Sequence, residues 1–263
     1  MVCLTYETIQ LKREGRRATL TINRPDALNA MNEVVLKELA DVFESLKNDS
    51  QIQVLVLKGE GRAFSAGGDI KMMLEMENPN DFKPVMDNVT RLMLAFYQLP
   101  MITVAQIHGA AAGIGFSLAL ACDYVVAEEN SKLAMNFIGI GLVPDGGGHF
   151  FMKERVGTFK AKQVIWEGKV MNAEEALQLG LIDVKVGEGQ AENYVVEWID
   201  RQLQSPILAK IESKRILHSI QLPQLENVLE QEAVAQLRMR NTKDHLEGMK
   251  AFIEKREAVF TGN

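Results

Sequence analysis

The segment Phe64-Ser65-Ala66-Gly67-Gly68-Asp69 lies between an apolar run, residues 52–57, and a predicted helix that begins near Ile70. The same arrangement recurs after a second apolar run, residues 102–107, where Gly109-Ala110-Ala111-Ala112-Gly113-Ile114-Gly115 leads into another predicted helix. Short apolar runs rich in β-branched residues favour buried strands. Repeated strand, glycine loop and helix units predict a parallel α/β arrangement in which the helix N-termini collect on one side.

The regions around these units predict further strands and a capped helix. Residues 6–22 alternate as in a hairpin, with a turn near Glu14 and Gly15. Asn32 is expected to cap a helix, because apolar residues follow it at helical spacing. A third short buried strand is expected at residues 124–127.

The C-terminal part of the chain has a different pattern, which is almost purely helical from residue 190 to residue 259. We place a boundary near Gly187 and Gly189. It divides the chain into an α/β core, residues 1–188, and a helical C-terminal region, residues 189–263. No low-complexity linker separates the two parts, so the helical region is expected to pack against another surface.

Composition excludes several classes of protein. The chain has 263 residues, 47% hydrophobic and 24% charged, and a net charge of −6, which is typical of a soluble globular protein and not of a nucleic-acid binder. The longest apolar run, residues 110–122, is too short to span a bilayer. Cys3 and Cys122 have no metal-ligand spacing, and residues 1–11 lack the features of a signal peptide, so a cytoplasmic location is expected.

The two glycine loops are candidate binding elements. A backbone N–H can approach a ligand closely where side chains leave room, and a helix N-terminus adds unpaired donors and the positive end of its dipole. Two such donors aimed at one point would stabilise an oxyanion, each by about 3–4 kcal/mol. Tight strand-to-helix packing without a ligand is the alternative, and on these grounds alone both interpretations stay open.

Five segments resemble motifs of the crotonase (enoyl-CoA hydratase/isomerase) superfamily and occur in the order typical of that family. They are residues 23–30, 64–71, 108–123, 141–148 and 252–256, and together they cover nearly the whole chain. The resemblance implies a crotonase-like spiral of ββα units with a helical C-terminal trimerisation region. It also implies an acyl-CoA thioester as substrate, a homotrimer or a dimer of trimers, and no cofactor or metal, since coenzyme A is part of the substrate.

The resemblance also assigns site residues. It places two oxyanion-binding N–H groups on Gly68 and Ile114. The other positions that match contacts with the substrate or with coenzyme A are Ala27, Leu28, Ala66, Asp69, Ile70, Ser117, Phe137 and Phe252. Asp26 departs from a commonly basic position, so attraction of the phosphates is expected from Arg24, Lys71 and Lys255, unless these are ordinary surface charges.

Two departures from the family pattern concern the reaction itself. Ser117 and Phe137 stand where hydratases of the family have two glutamates, and neither side chain can move a proton as a carboxylate does. Asp145 remains, at a position where some isomerases of the family have a catalytic aspartate. Apolar surroundings would raise its pKa and make it a better base. The alternative is turn or N-cap chemistry, which an aspartate between proline and glycine often performs.

These residues favour double-bond migration in an enoyl-CoA by Asp145, with hydration and a catalytically silent acyl-CoA binder as alternatives. A dehalogenase-like activity would need a histidine in residues 81–97, which contain none. His108 and His149 are expected to have structural roles. Methionines suited to a mobile wall of the acyl pocket are Met72, Met73, Met76, Met86 and Met93, although Met93 fits an ordinary core position better.

Overall fold

A computed structural model describes residues 6–76 and 79–263, so Cys3 lies outside the described residues. The strands are β1 (Ile9–Glu14), β2 (Arg17–Ile22), β3 (Val54–Gly59), β4 (Ile102–Ile107), β5 (Ala110–Ala112), β6 (Tyr124–Glu128), β7 (Lys132–Ala134), β8 (Val170–Asn172) and β9 (Val184–Val186). The α-helices are α1 (Glu33–Leu46), α2 (Ile70–Glu75), α3 (Lys83–Tyr97), α4 (Ile114–Leu120), α5 (Gly148–Glu167), α6 (Ala173–Leu179), α7 (Ala191–Leu203), α8 (Ile207–Arg240) and α9 (Lys243–Glu254).

The main sheet has six strands in the order β1-β2-β3-β4-β6-β9. The hairpin strand β1 is antiparallel to β2, and every later strand joins its predecessor in parallel. Parallel neighbours need crossover connections, and these are nearly always of one hand. Because the strands are added in chain order from β2 to β9, the backbone advances as a spiral.

A smaller sheet forms a second layer of this spiral, with the order β5-β7-β8. Isolated parallel bridges between Ser65 and Ala111 and between Met31 and Gly68 extend it toward the earlier turns. The sequence did not predict these strands, because three residues are too few to show a period of two. The turns that begin with β2, β3, β4 and β6 therefore each have a strand of the main sheet and a short extended segment before the helix.

Two predicted boundaries need correction. The strand expected at residues 52–57 is β3, Val54–Gly59, although Ile52 before it is also buried. The helical pattern expected to continue to residue 259 ends at Glu254, where Lys255 adopts a left-handed conformation and caps α9. Asn32 caps α1 as predicted, with its side chain accepting a hydrogen bond from the Val35 N–H.

The helical C-terminal region packs against the core, as expected from the absence of a linker. Val195 and Ile199 of α7 form an apolar cluster with Val104 and Val126 of the main sheet. The long helix α8 contacts α3 and α5. No helix in the described parts of the chain is both long and apolar enough to cross a membrane.

Candidate active site

The two glycine loops run side by side and touch at their glycines. Ser65 accepts a hydrogen bond from the Ala112 N–H and donates its own N–H to Ala110, which aligns the loops in parallel. A Cβ built on Gly67 would lie only 2.8 Å from the Ala112 carbonyl oxygen and 3.5 Å from the Gly113 Cα. Gly67 and Gly113 also have positive φ angles, 96° and 51°, so side chains are excluded here by space and by conformation.

The next residue on each loop is one of the two predicted donors. Met31 bonds to the residues on either side of Gly68, which turns the Gly68 N–H toward the opposite side, as in any parallel bridge. Ile114 is the first residue of α4, so its N–H has no partner within the helix. Among the described residues neither N–H donates a backbone hydrogen bond. The fold therefore brings two unpaired donors to neighbouring positions.

The residues expected to contact coenzyme A lie beside these loops. The Ala66 N–H donates to the Leu28 carbonyl, and Ala27, Leu28, Ala66 and Ile70 are all half-buried. Asp69 caps α2 by accepting from the Lys71 N–H. These residues form a partly exposed surface next to Gly68.

Arg24 has a different environment from the one expected of a phosphate ligand. Its guanidinium lies 3.0 Å from the Asp69 carboxylate and also donates to the Ala30 carbonyl. The ion pair ties the residue 24–30 loop to the first glycine loop and offsets much of the Arg24 charge. Lys71, which was also predicted to attract phosphate, is exposed.

Asp145 is buried and is not a helix cap. It is 6% exposed, its Oδ1 has no hydrogen-bond partner, and α5 begins after Gly147 with no side-chain cap. Burial, and after it the negative charge of Glu232, raise the pKa of the Asp145 carboxyl to about 8, against the opposing positive charge of Arg240. A carboxyl with this pKa can both accept and return a proton near neutral pH.

Direct packing holds the Asp145 loop against the second glycine loop. A Cβ on Gly146 would lie 3.1 Å from the Ile114 Cγ1, so the Ile114 side chain packs on this loop. The Ser117 hydroxyl is fully buried and donates a 2.8 Å hydrogen bond to the Asp145 carbonyl oxygen. The Phe137 ring lies against Gly113, with its Cζ 3.5 Å from the position that a Cβ on Gly113 would occupy. Ser117 and Phe137 therefore shape the site.

Helix α8 supplies three residues of the site that sequence reasoning missed. Glu232, Gln236 and Arg240 are buried and spaced four residues apart, so they lie along one face of the helix. Glu232 accepts hydrogen bonds from the N–H groups of Gly147 and His149, and Gln236 donates to the Val143 carbonyl. The sequence does contain a signal for these residues. They lie on the same helix face as the buried Leu225 and Leu229, so the polar residues continue a buried apolar stripe.

Comparisons with known proteins agree with this architecture. The family model described as enoyl-CoA hydratase/isomerase matches residues 13–263. The chain belongs to the enoyl-CoA hydratase/isomerase family. This confirms the superfamily that the five motifs predicted.

Individual members show how far the similarity extends. The chain is 49% identical to YhaR of Bacillus subtilis, a protein named for this family, over 97% of this chain and 99% of YhaR. It is 34% identical to a crotonyl-CoA hydratase of Syntrophomonas wolfei, over 98% of this chain and 99% of that protein. The crystal structure of an enoyl-CoA hydratase from Mycobacterium avium subsp. paratuberculosis superposes with a TM-score of 0.88 at 32% identity, over 98% of this chain and 100% of that one. These similarities confirm the predicted crotonase fold.

The other residues that the sequence singled out lie outside the candidate site or make structural contacts around it. The His108 ring hydrogen-bonds with the Gly61 carbonyl oxygen, and the His149 Nδ1 lies 2.7 Å from Glu232, so both have structural contacts. Met86 and Met93 are core residues, whereas the Met73 methyl lies against Gly68. Phe252 is exposed on α9, and Lys255 follows the end of that helix. The described residues include no cluster of three or more candidate metal ligands.

The raised pKa of Asp145 predicts a pH-dependent effect of Asp145→Asn on stability. The folded protein holds the Asp145 proton up to about pH 8, whereas an unfolded aspartate releases it near its ordinary value of 3.8. The free energy of unfolding therefore falls as pH rises between these values, and the asparagine variant avoids this loss. We expect the melting temperature of the variant, relative to wild type, to increase from pH 5 to pH 8.5 in thermal scans.

Asp26→Asn is the matched control, because Asp26 also follows a proline but is exposed. It should leave the pH dependence of the melting temperature unchanged. An Asp145→Asn difference that stays constant or shrinks with rising pH would contradict the buried, protonated state of Asp145.

Proposed function

We propose that this protein is an enoyl-CoA isomerase, which moves the double bond of a 3-enoyl-CoA to position 2. The observation that carries the proposal is the buried Asp145 carboxyl, with its unpaired Oδ1, held beside Ile114 by the contact between Ile114 and Gly146. In this proposal the Gly68 and Ile114 N–H groups donate to the thioester oxygen. By stabilising the negative charge that develops on that oxygen, they make the C2 proton easier to remove.

Asp145 would carry the proton in both directions. Its carboxylate takes a proton from C2, which gives a dienolate held by the two N–H groups, and the resulting acid returns a proton to C4. One carboxylate on one face of the substrate is sufficient for both steps. Its pKa of about 8 suits this cycle, because an effective general base has a pKa near the operating pH.

A second carboxylate near Asp145 is unsuited to hydration. Both oxygens of Glu232 accept hydrogen bonds, Oε2 from Gly147 and Oε1 from His149, so this side chain anchors the loop and α5. Ser117 is likewise engaged with the Asp145 carbonyl. Among the carboxylates that the structure describes, Asp145 is therefore the one best suited to proton transfer.

Hydration of a 2-enoyl-CoA is the second candidate, because relatives similar to this chain carry hydratase names. Hydration would additionally require Asp145, or a group outside the described residues, to activate a water molecule. The two reactions start from different substrates, so a direct comparison of rates distinguishes them.

Asp145→Asn is expected to reduce 3-enoyl-CoA isomerisation about 100-fold or more, because asparagine fills the same space but cannot accept the proton. For wild type, isomerisation should exceed hydration, and kcat/KM should rise with pH through about 8 as the Asp145 proton is lost. Steady-state assays of both reactions across pH measure these effects.

Ser117→Ala is the control for this experiment. It removes one hydrogen bond to the Asp145 loop but leaves the Gly148 N–H on the same carbonyl, so activity should fall less than about 10-fold. Full isomerase activity in Asp145→Asn, or faster hydration than isomerisation by wild type, would contradict the proposed mechanism.

We also propose that the protein forms trimers in which the end of α9 reaches the coenzyme A site of a neighbouring subunit. Phe252 and Ile253 are large apolar residues that are 56% and 52% exposed. Exposed apolar side chains that lie together favour burial in an interface. Lys255, directly after them, would add positive charge for the phosphates.

Phe252→Asp is expected to weaken both assembly and coenzyme A affinity, because it places a charge in the proposed interface. Light scattering at micromolar concentration and titration with coenzyme A measure the two effects. Val34→Asp, at an exposed apolar position on α1, should change neither. A monomeric wild type, with coenzyme A affinity unchanged in Phe252→Asp, would contradict the proposal.

A further inference from the structure

Arg240 is a buried guanidinium at the C-terminal end of α8. It is 7% exposed, and its Cζ lies 3.3 Å from the centroid of the Phe82 ring, which covers one face of the guanidinium. A buried charge costs several kcal/mol unless hydrogen bonds or an opposite charge compensate for it. Stacking on an aromatic ring compensates for only part of this cost.

The two donors along one edge of this guanidinium are unpaired. Nε and Nη2 are buried and have no hydrogen-bond partner among the described residues. These two nitrogens point the same way, in the geometry that binds both oxygens of a carboxylate. The Asp145 carboxyl does not fill this role, since neither of these two nitrogens has a partner and the Asp145 Oδ1 is unpaired as well.

Arg240 lines a cavity that adjoins the proposed thioester site. The cavity has a volume of about 390 Å³, and Met73, Met76, Phe82 and Met249 contribute apolar walls. The Met73 methyl group lies 2.5 Å from the position that a Cβ on Gly68 would occupy. An acyl chain whose thioester oxygen is held at Gly68 would therefore have this cavity next to it.

The charges around the cavity favour an anion. Lys250 also lines it, and burial lowers the pKa of Arg240 only to about 10, so the guanidinium stays charged at neutral pH. His245 packs nearby, with its Nδ1 2.8 Å from the Ile140 carbonyl oxygen. Asp145 holds its proton below about pH 8 and so does not repel a second carboxylate.

We propose that the preferred substrates are thioesters of dicarboxylic acids, whose free carboxylate is bound by the Arg240 guanidinium. This inference rests on the proposed function, because it takes the cavity beside Gly68 as the acyl pocket. A cavity with apolar walls and a guanidinium in its lining suits a short hydrocarbon chain that ends in a carboxylate. A purely hydrocarbon chain would leave the guanidinium buried and unpaired.

The test is a comparison of binding constants for saturated ligands, which cannot react. Calorimetry would measure adipyl-CoA, which ends in a carboxylate, against hexanoyl-CoA, which has the same chain length and ends in a methyl group. Wild type should bind adipyl-CoA about 10- to 100-fold more tightly, the effect expected for hydrogen bonds to a charged group. Arg240→Met should reverse this preference, and Arg240→Lys should retain part of it.

Arg238→Met is the matched control, because Arg238 is exposed on the same turn of α8. It should leave the ratio of the two affinities unchanged. The inference would be overturned if wild type bound both ligands with equal affinity, or if Arg240→Met lost the same factor of affinity for both ligands. Arg240 would then be a residue that positions the site. If Arg240→Met fails to fold, the same comparison in wild type and Arg240→Lys decides the question.

The result is also separable from the proposed isomerase activity. Tight adipyl-CoA binding by a protein that isomerises no 3-enoyl-CoA would support the Arg240 inference and contradict the proposed function. Active isomerisation of methyl-ended substrates, with no preference for adipyl-CoA, would contradict the inference alone. A wild type that binds neither ligand would overturn both.

Discussion

The close approach of Gly67 and Gly113 is the constraint on which the rest of the site depends. With no side chain between them, the two loops lie side by side, and the next residue of each, Gly68 and Ile114, has an unpaired N–H. The spiral makes this contact possible, because successive parallel strands bring successive loops to the same edge. Any larger residue at either position would separate the loops and the two donors with them.

A second constraint acts on Asp145, which is held by its backbone while its carboxyl is left unpaired. Ser117 donates to its carbonyl, and Glu232 accepts from Gly147 two residues later. Neither bond is made by the Asp145 carboxyl group, so the loop is fixed while the charged form of the carboxyl is left unstabilised. Burial then raises the pKa of Asp145, so the same packing that orders the loop also gives its side chain a pKa that suits the proposed proton transfer.

Much of this arrangement was predictable from sequence, and the rest was not for physical reasons. The glycine loops carry a local signature, since positive φ and close approach both demand glycine, and the motifs around them predicted the fold. The strands of the small sheet were too short to show a period. The roles of Glu232, Gln236 and Arg240 depend on which face of α8 is covered, and helical spacing alone does not say what covers it. The environment of Arg24 likewise depends on its contact with Asp69, 45 residues away.

The most direct test of the central claim is a crystal structure of the protein with a bound acyl-CoA. The account predicts that the thioester oxygen lies about 2.7–3.1 Å from both the Gly68 and the Ile114 nitrogen atoms. It also predicts that the Asp145 carboxyl faces the C2 to C4 atoms of the acyl chain. A thioester oxygen bound away from these two N–H groups, or an Asp145 carboxyl separated from the acyl chain by packed side chains, would contradict it.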